Sequence, residues 1–475
     1  MKKAWLIVLS AVLLSSACAA KNKDSAGGQQ EDGGTRTTQA SGGAAAAVKF
    51  GDAASPCGPG NLKVDPAENA GVSDKLLIGV ANDRSSTIRP GLNKEIWDAS
   101  NAFAEWCNSQ GGIGGLPIEI VDLDGKLLEV EAAMTKACAG VFMMVGGGYV
   151  QDNLEFSGKD GSDFHKCKMA DIPAFAVSPE KAESNGQIQP VPNPSSNTPS
   201  TWLTDFKALH PKEAESMAEV WGDLPAMKTI KEKTDAVIAA EGVKNAGDPS
   251  YPVTGLSDWT PLAKQIIDSG TQSMHFVGEP TNLGSLVKTM REQGWKGYPV
   301  LETNHYDQTY VDSAGAANAA GSIIRSTFHP FEEADQWPAV KQYQDLVKKY
   351  VPDAKLALLG MQSFSAWLLF ATSANACGKS NNDTLTRACV LKAAADIKDW
   401  TAGGLHAPTD PGPLGGPSPA CGMLLQVKPD GTFARLYPEI KGKGDDSDGF
   451  HCPANGSVEV PANKGLGVTS PDQPV

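Results

Sequence analysis

The stretch WCNSQGGIGGLPIEIVDLDG, residues 106–125, holds the end of one element, a turn and the start of the next. Upstream of it, Ile96, Ala99, Phe103 and Trp106 recur at helical spacing, which predicts an amphipathic helix over residues 92–109. Gly111-Gly112-Ile113-Gly114-Gly115 stops that helix, because glycine accepts the backbone conformations a helix end requires. Residues 116–121 then read as a strand. Before the helix, DKLLIGVA at 74–81 is a short apolar run of the kind a parallel strand shows when both its faces are covered. Strand, helix and strand in that order make a right-handed βαβ unit.

The same alternation continues outward. Leu127, Val130, Met134 and Ala137 mark a second helix, residues 141–145 a third strand ending in Gly146-Gly147-Gly148, and residues 172–177 a fourth. PVPNPSSNTP at 190–199 interrupts with four prolines and no periodicity, and reads as the crossing to a second lobe. Beyond it Leu262 and Ile266 share a helical face that opens with Thr260-Pro261. Residues 273–278, 299–302 and 322–328 read as strands, and Leu283, Leu286, Val287 and Met290 line another helix. Two long helices over 338–350 and 356–376 follow, then the break Asp410-Pro411-Gly412-Pro413 and a late strand at 423–427 before Asp430-Gly431. No short repeat is present, which excludes a solenoid. The body of about 380 residues exceeds the roughly 250–300 at which a single core stops growing, so the fold class is α/β with two doubly wound parallel-sheet lobes.

The ends carry the address. Lys2 and Lys3 precede an apolar run over 4–14, about 11 residues, which suits a signal peptide and is short for a bilayer span. Ser15, Ser16 and Ala17 lead into Cys18. That order resembles the lipobox of bacterial lipoproteins, with the leucine one place early at Leu14; the resemblance implies a signal peptide over 1–17 and diacylation of Cys18. An ordinary secretory signal that happens to contain a cysteine is the alternative. Residues 18–56 are Gly, Ala, Ser, Thr, Gln and charge, a flexible stalk with a reach of roughly 30–35 Å. After Tyr437 the chain is again rich in Gly, Pro and Asp, and residues 439–475 read as a loose cover or tail.

The formal charge of −14 argues against nucleic acid and against an electrostatic hold on anionic lipid. Nine cysteines less Cys18 leave eight, enough for four disulfides in an oxidising compartment with 105 possible connectivities. There is no C-x-x-C pair and no H-E-x-x-H, so neither a metal nor a cofactor is expected. Ser178-Pro179-Glu180-Lys181 matches S-x-x-K, but the partner motifs S-D-N and K-T-G are absent, and Gly146-Gly147-Gly148 lacks the dinucleotide fingerprint.

Several pieces together resemble the type I periplasmic-binding fold, in its branched-chain amino-acid (Leu/Ile/Val) binding protein family. They are LLIGVA, the 106–125 stretch, MMVGGG at 143–148, SDWTPLAKQIIDSG at 257–270, HFVGEP after it, and PDGTFARLYP at the close. Residues 224–243 depart most, since LPAM makes a weak strand where the family has a clear one. The resemblance implies no enzyme but a solute-binding subunit of an ABC importer. Its lobes are 57–195 with 329–412, and 196–328 with 413–438, crossed near 195–200, 328–331 and 412–420. Such lobes close on a ligand between the carboxyl ends of their strands. Implied partners are a small solute (an amino acid or related polar molecule), a membrane permease, and the bilayer through acylated Cys18, with the protein a monomer; a sensory lipoprotein uncoupled from transport is the rival reading.

The resembled fold also implies four cysteine pairs. Cys138 and Cys167 would end neighbouring helices on one face of the first sheet, and Cys107 would end the first helix near the entry of Cys57. Cys377 would close a local loop with Cys389, and Cys421 would join Cys452. In the family a carboxylate is met by loops that here supply Tyr149, Val150 and Gln151, and then Ser178, with Gly147 and Gly148 letting backbone amides approach. Tyr149 as a lid over the sheet edge is the plainer alternative. The ammonium side corresponds to Glu279-Pro280-Thr281 and Thr303-Asn304-His305-Tyr306. The family's acid falls on Asn304, with Glu302 or Glu279 as a shifted acid; its aromatic falls near Thr281, with Tyr306 as a replacement. Asn82, Asp83 and Arg84 after the first strand are further candidates, and Trp259 and Trp295 are expected to pack.

Overall fold

The computed structural model describes residues 48–467. The signal peptide, Cys18, the stalk up to residue 47, and the last residues of the expected tail, 468–475, lie outside the described residues. Two main sheets organise the rest. The first has the order Ile118–Asp124, Leu76–Asn82, Met143–Val145, Asp171–Ile172, all parallel. In the second, Ser216–Gly222 pairs with Ser273–Val277, followed by Tyr298–Leu301 and Ile323–Ser326, again parallel. Lys244–Asn245 and Ser250–Tyr251 flank Ser216–Gly222 on its outer side. Met423–Val427 and Phe433–Tyr437 then add an antiparallel edge, so this sheet is mixed.

The chain passes from the first sheet to the second between Ile172 and Ser216. It returns after Ser326 and crosses again before Met423. The three returning helices Pro338–Tyr350, Leu358–Ser380 and Arg387–Ala395 pack on the first lobe. Leu358–Ser380 is buried along most of its length, and its Trp367 stacks on Phe103 of the helix Lys94–Ser109 with ring centroids 5.3 Å apart. The turn of the opening stretch has the expected cause: Gly112 has φ of +80°, and a Cβ there would lie 2.1 Å from the Leu116 carbonyl oxygen.

Four expectations need correction. The central strand of the second lobe is Ser216–Gly222, and Pro225–Ala240 is a helix. LPAM is therefore no weak strand but a helix start, with Pro225 in the first turn, where its missing N–H leaves nothing unpaired. The fourth strand of the first sheet is only Asp171–Ile172: Pro173 has no N–H for the ladder, and past it Ala174 N donates to Gly147 O at 2.8 Å while residues 186–188 return to pair beside Asp171. The last residues assigned to the stalk pack on the body: Phe50 is fully buried with ring centroids 5.8 Å from Trp106 and 5.0 Å from Phe364.

The tail, finally, is a strap rather than a loose cover. Ser457–Glu459 pairs antiparallel with Asn197–Pro199 at the first crossing. Cys452 is bonded to Cys421 at the third. Val460 N donates to Ser196 O at 2.8 Å and Asn463 Nδ2 to Ser195 O at 3.2 Å. Gly- and Asp-rich composition hid this order, because backbone pairing needs no particular side chain. The other disulfides are Cys57–Cys107, Cys138–Cys167 and Cys377–Cys389, so all four implied pairs are present.

Candidate functional site

A cavity of about 440 Å³ lies between the two sheets, at the carboxyl ends of their strands. From the first lobe it takes the loop after Leu76–Asn82, from Arg89 on, then Val150 and Phe175. From the second it takes 277–281, 302–304 and 325–327, each at or just past a strand end, and one face of the helix Pro225–Ala240. This is the position at which open α/β sheets bind ligands, because strand ends and helix starts leave room and unpaired backbone groups there.

The second lobe keeps four of its five expected residues at this cavity. Glu279, Thr281, Glu302 and Asn304 all line it. The two acids, however, are already engaged. Arg89 Nε donates to Glu279 Oε2 across the cleft, and Arg89 also donates to Asn282 Oδ1 at 3.0 Å and Val253 O at 3.1 Å. Glu302 accepts from Arg325 Nε at 2.9 Å and sits 3.1 Å from His275 Nε2. Burial works to raise the Glu302 pKa, but Arg325 and His275 overcome it and hold the carboxyl well below the usual range. Asn304 spends its amide on Gly278 O at 2.9 Å.

The first-lobe expectations are mostly displaced. Of Tyr149, Val150 and Gln151, only Val150 lines the cavity, and its amide donates to Asp83 Oδ2 at 2.9 Å. Tyr149 is fully buried, its hydroxyl donating to Leu123 O at 2.7 Å, and does not line the cavity. Gln151 donates to Leu127 O at 3.0 Å. The glycines serve packing: a Cβ on Gly147 would lie 2.4 Å from Ala81 N, and one on Gly148 would lie 2.6 Å from the Phe175 ring. Ser178 is buried as the cap of Pro179–Ala182, accepting from Lys181 N at 3.2 Å. Lys181 turns away from it, pairing with Asp171 at 2.8 Å beneath the Phe156 and Phe164 rings.

Asn82 and Tyr306 are displaced as well. Asn82 donates to Asp122 at 3.1 Å, next to the Arg84–Asp122 ion pair, and Tyr306 binds Glu332 and the Phe331 amide in the core. Each polar tip finds a partner 25 to 40 residues away, which a sequence does not show. Trp259 and Trp295 are buried, as expected of packing residues.

Sequence reasoning passed over Arg89, Lys233, Arg325 and Lys355, all of which line the cavity. Lys355 pairs with Glu95 at 3.0 Å and Asp307 at 2.6 Å, a second tie between the lobes. For Lys233 a signal existed: Met227, Ile230, Thr234 and Val237 recur at helical spacing, and the lysine sits within that inward face. Reading 224–243 as a degenerate strand concealed it. Among the described residues no group of three or more His, Cys, Asp or Glu is placed to hold a metal. None of the described helices is long and apolar enough to cross a membrane.

No curated protein matches the chain. Solved structures do resemble it. A fatty acid ABC transporter substrate-binding protein from Thermomonospora curvata superposes with a TM-score of 0.64 at 15% identity, covering 83% of this chain and 97% of that one. A substrate-binding periplasmic protein from Ralstonia solanacearum gives 0.63 at 14% identity, over 76% and 100%. The branched-chain amino acid transporter substrate binding protein of Streptococcus pneumoniae, solved with isoleucine, gives 0.59 at 15% identity, over 77% and 100%. The model of the periplasmic binding protein family matches residues 75–432. Two sheets with a ligand-sized cavity at their facing strand ends, together with that match, mean that this chain belongs to the periplasmic binding protein family, in the type I form found among substrate-binding proteins of ABC transporters.

Proposed function

We propose that the protein captures a small solute in the cavity between its lobes and delivers it to an ABC permease, held at the outer face of the membrane by acylated Cys18. The observation that carries this reading is the cavity itself. Its about 440 Å³ falls within the roughly 300–1,000 Å³ of ligand pockets, and both lobes contribute walls. Arg89–Glu279 and Lys355–Asp307 bridge the lobes around it, so opening and closing would admit and retain a solute. Glu279, Thr281, Glu302 and Asn304 remain the second-lobe contacts, with Val150 and Arg89 opposite. The neighbours in fold include one described as a fatty acid binder and one solved with isoleucine, so the fold accommodates cargo with an apolar body.

The test is a thermal-shift screen of the full chain carrying Cys18→Ser, which cannot be acylated, against a library of small solutes. A ligand that binds only the folded state raises the melting temperature by mass action, by about 2.7 kcal/mol of stability at a hundredfold excess over Kd. At least one compound should do so in a concentration-dependent way. A flat response across amino acids, carboxylates, sugars and polyamines would remove the reading.

A further inference from the structure

Nearly every charge around the cavity has an opposite charge beside it. Arg89 meets Glu279, Arg325 meets Glu302, Lys355 meets Glu95 and Asp307, and Lys94 meets Asp98. Asp205 is met by His451 at 2.8 Å. Lys233 is the exception: among the described residues no carboxylate lies within ion-pair reach of it. Its Nζ donates one hydrogen bond, to Asn193 Oδ1 at 2.6 Å, which leaves two of an ammonium's three donors free. The residue is 5% exposed. Burial, with repulsion from Arg325 that the more distant Glu302 and Glu183 carboxylates only partly offset, pushes its pKa down to about 7.

The surroundings are apolar. Lys233 lies on the inward face of Pro225–Ala240 with Met227, Ile230 and Val237, and Trp202 and Val177 line the same cavity. An ammonium without an ion-pair partner in such a place is unfavourable, and the amine gives up its proton readily unless an anion arrives to pair with it. Resting on the solute-capture reading, we propose that Lys233 binds the carboxylate of an amphipathic monocarboxylate whose apolar body lies along Met227, Ile230, Val237 and Trp202. One ammonium beside a neutral amide matches a single negative charge; a dianion would leave the second uncompensated. A free α-amino acid fits less well, because Glu279 and Glu302, the acids that would hold its ammonium, are committed to Arg89 and to Arg325 with His275.

The experiment is calorimetric titration of the Cys18→Ser full chain with octanoate, decanoate and dodecanoate, with 1-decanol as the uncharged analogue and leucine as the amino-acid probe. Decanoate should bind about tenfold or more tighter than 1-decanol. Lys233→Met should abolish that preference while leaving the ligand-free melting temperature equal or higher, since it removes a buried unpaired charge. Lys233→Gln, which keeps the contact with Asn193, should lose the preference likewise and guards against a packing defect in the methionine variant. Equal affinity for decanoate and 1-decanol, or unchanged decanoate binding in both variants, overturns the proposal. Leucine binding without carboxylate binding overturns it while leaving solute capture standing. Silence from every probe and from the wider library overturns both.

Discussion

Arg89, in the loop after the first strand of one lobe, is ion-paired with Glu279, which precedes the helix Pro280–Glu292 of the other, and the pair spans the cleft beside the cavity. Both side chains are mostly shielded, at 20% and 7% exposure, so the interaction is less screened than a surface pair. Arg89→Ala should therefore favour the open form. We expect about tenfold faster ligand release in stopped-flow measurements and a larger radius of gyration in solution scattering. In a double-mutant cycle with Glu279→Gln the coupling should be about 0.5–3 kcal/mol. A coupling near zero would mean the pair does not latch the lobes.

The Glu302 cluster sets an acid limit on stability. Because its carboxyl is held below the ordinary 4.5 when folded, ionised Glu302 contributes stability that is fully present above that value and is lost as pH falls through the depressed folded pKa. Glu302→Gln should destabilise the protein at pH 7 by roughly 3–5 kcal/mol, since Arg325 and His275 lose their buried counter-charge. The difference from wild type in chemical denaturation should shrink steadily below pH 4.5. A constant difference from pH 7 to pH 3 would contradict the assignment.

Lys181 and Asp171 form an ion pair 0% and 1% exposed, away from the cavity. Removing one partner strands the other charge, so Lys181→Met should lower stability by roughly 3–5 kcal/mol. Ligand affinity should stay within about twofold, because the lysine is absent from the cavity wall. Restoring much of the stability with a second change, Asp171→Leu, would identify the stranded carboxylate as the cause. A loss of binding without loss of stability would instead implicate the S-x-x-K motif in ligand contact.

The strap makes its own prediction. Cys421–Cys452 closes a separation of 31 residues and joins the third crossing to the segment that pairs with the first. Cys421→Ser with Cys452→Ser should lower stability by about 3–4 kcal/mol through the gained freedom of the unfolded chain. It should also raise amide exchange at Ser457–Glu459 and its partner Asn197–Pro199. Unchanged protection there would mean that strand pairing alone holds the strap.

Legibility followed the range of the interactions involved. LLIGVA, the glycine turn after Trp106 and the helical apolar stripes are local patterns, and each element they predicted on the first lobe is present with shifted bounds. Helix Pro225–Ala240 was misread because its strand lies a few residues upstream, in SMAEVWG, where Glu219 breaks the apolar run. Glu219 is nonetheless buried, near His275 at 3.8 Å, and burial pushes its carboxyl up to about 7. A charged residue buried inside a sheet looks, in sequence, like the edge of a loop.

Sequence by itself determined the alternation of strands and helices, hence two α/β lobes with loops at their strand ends. Those follow from periodicity and backbone chemistry, which act over a few residues. Tertiary structure alone decided which polar groups remain available there. Tyr149, Gln151, Ser178 and Asn82 are taken up by neighbours up to 40 residues away, and Glu279 by an arginine 190 residues away. Whether a charge is spent or open depends on partners brought together by folding, and that separates paired Glu302 from unpaired Lys233 on one cavity wall.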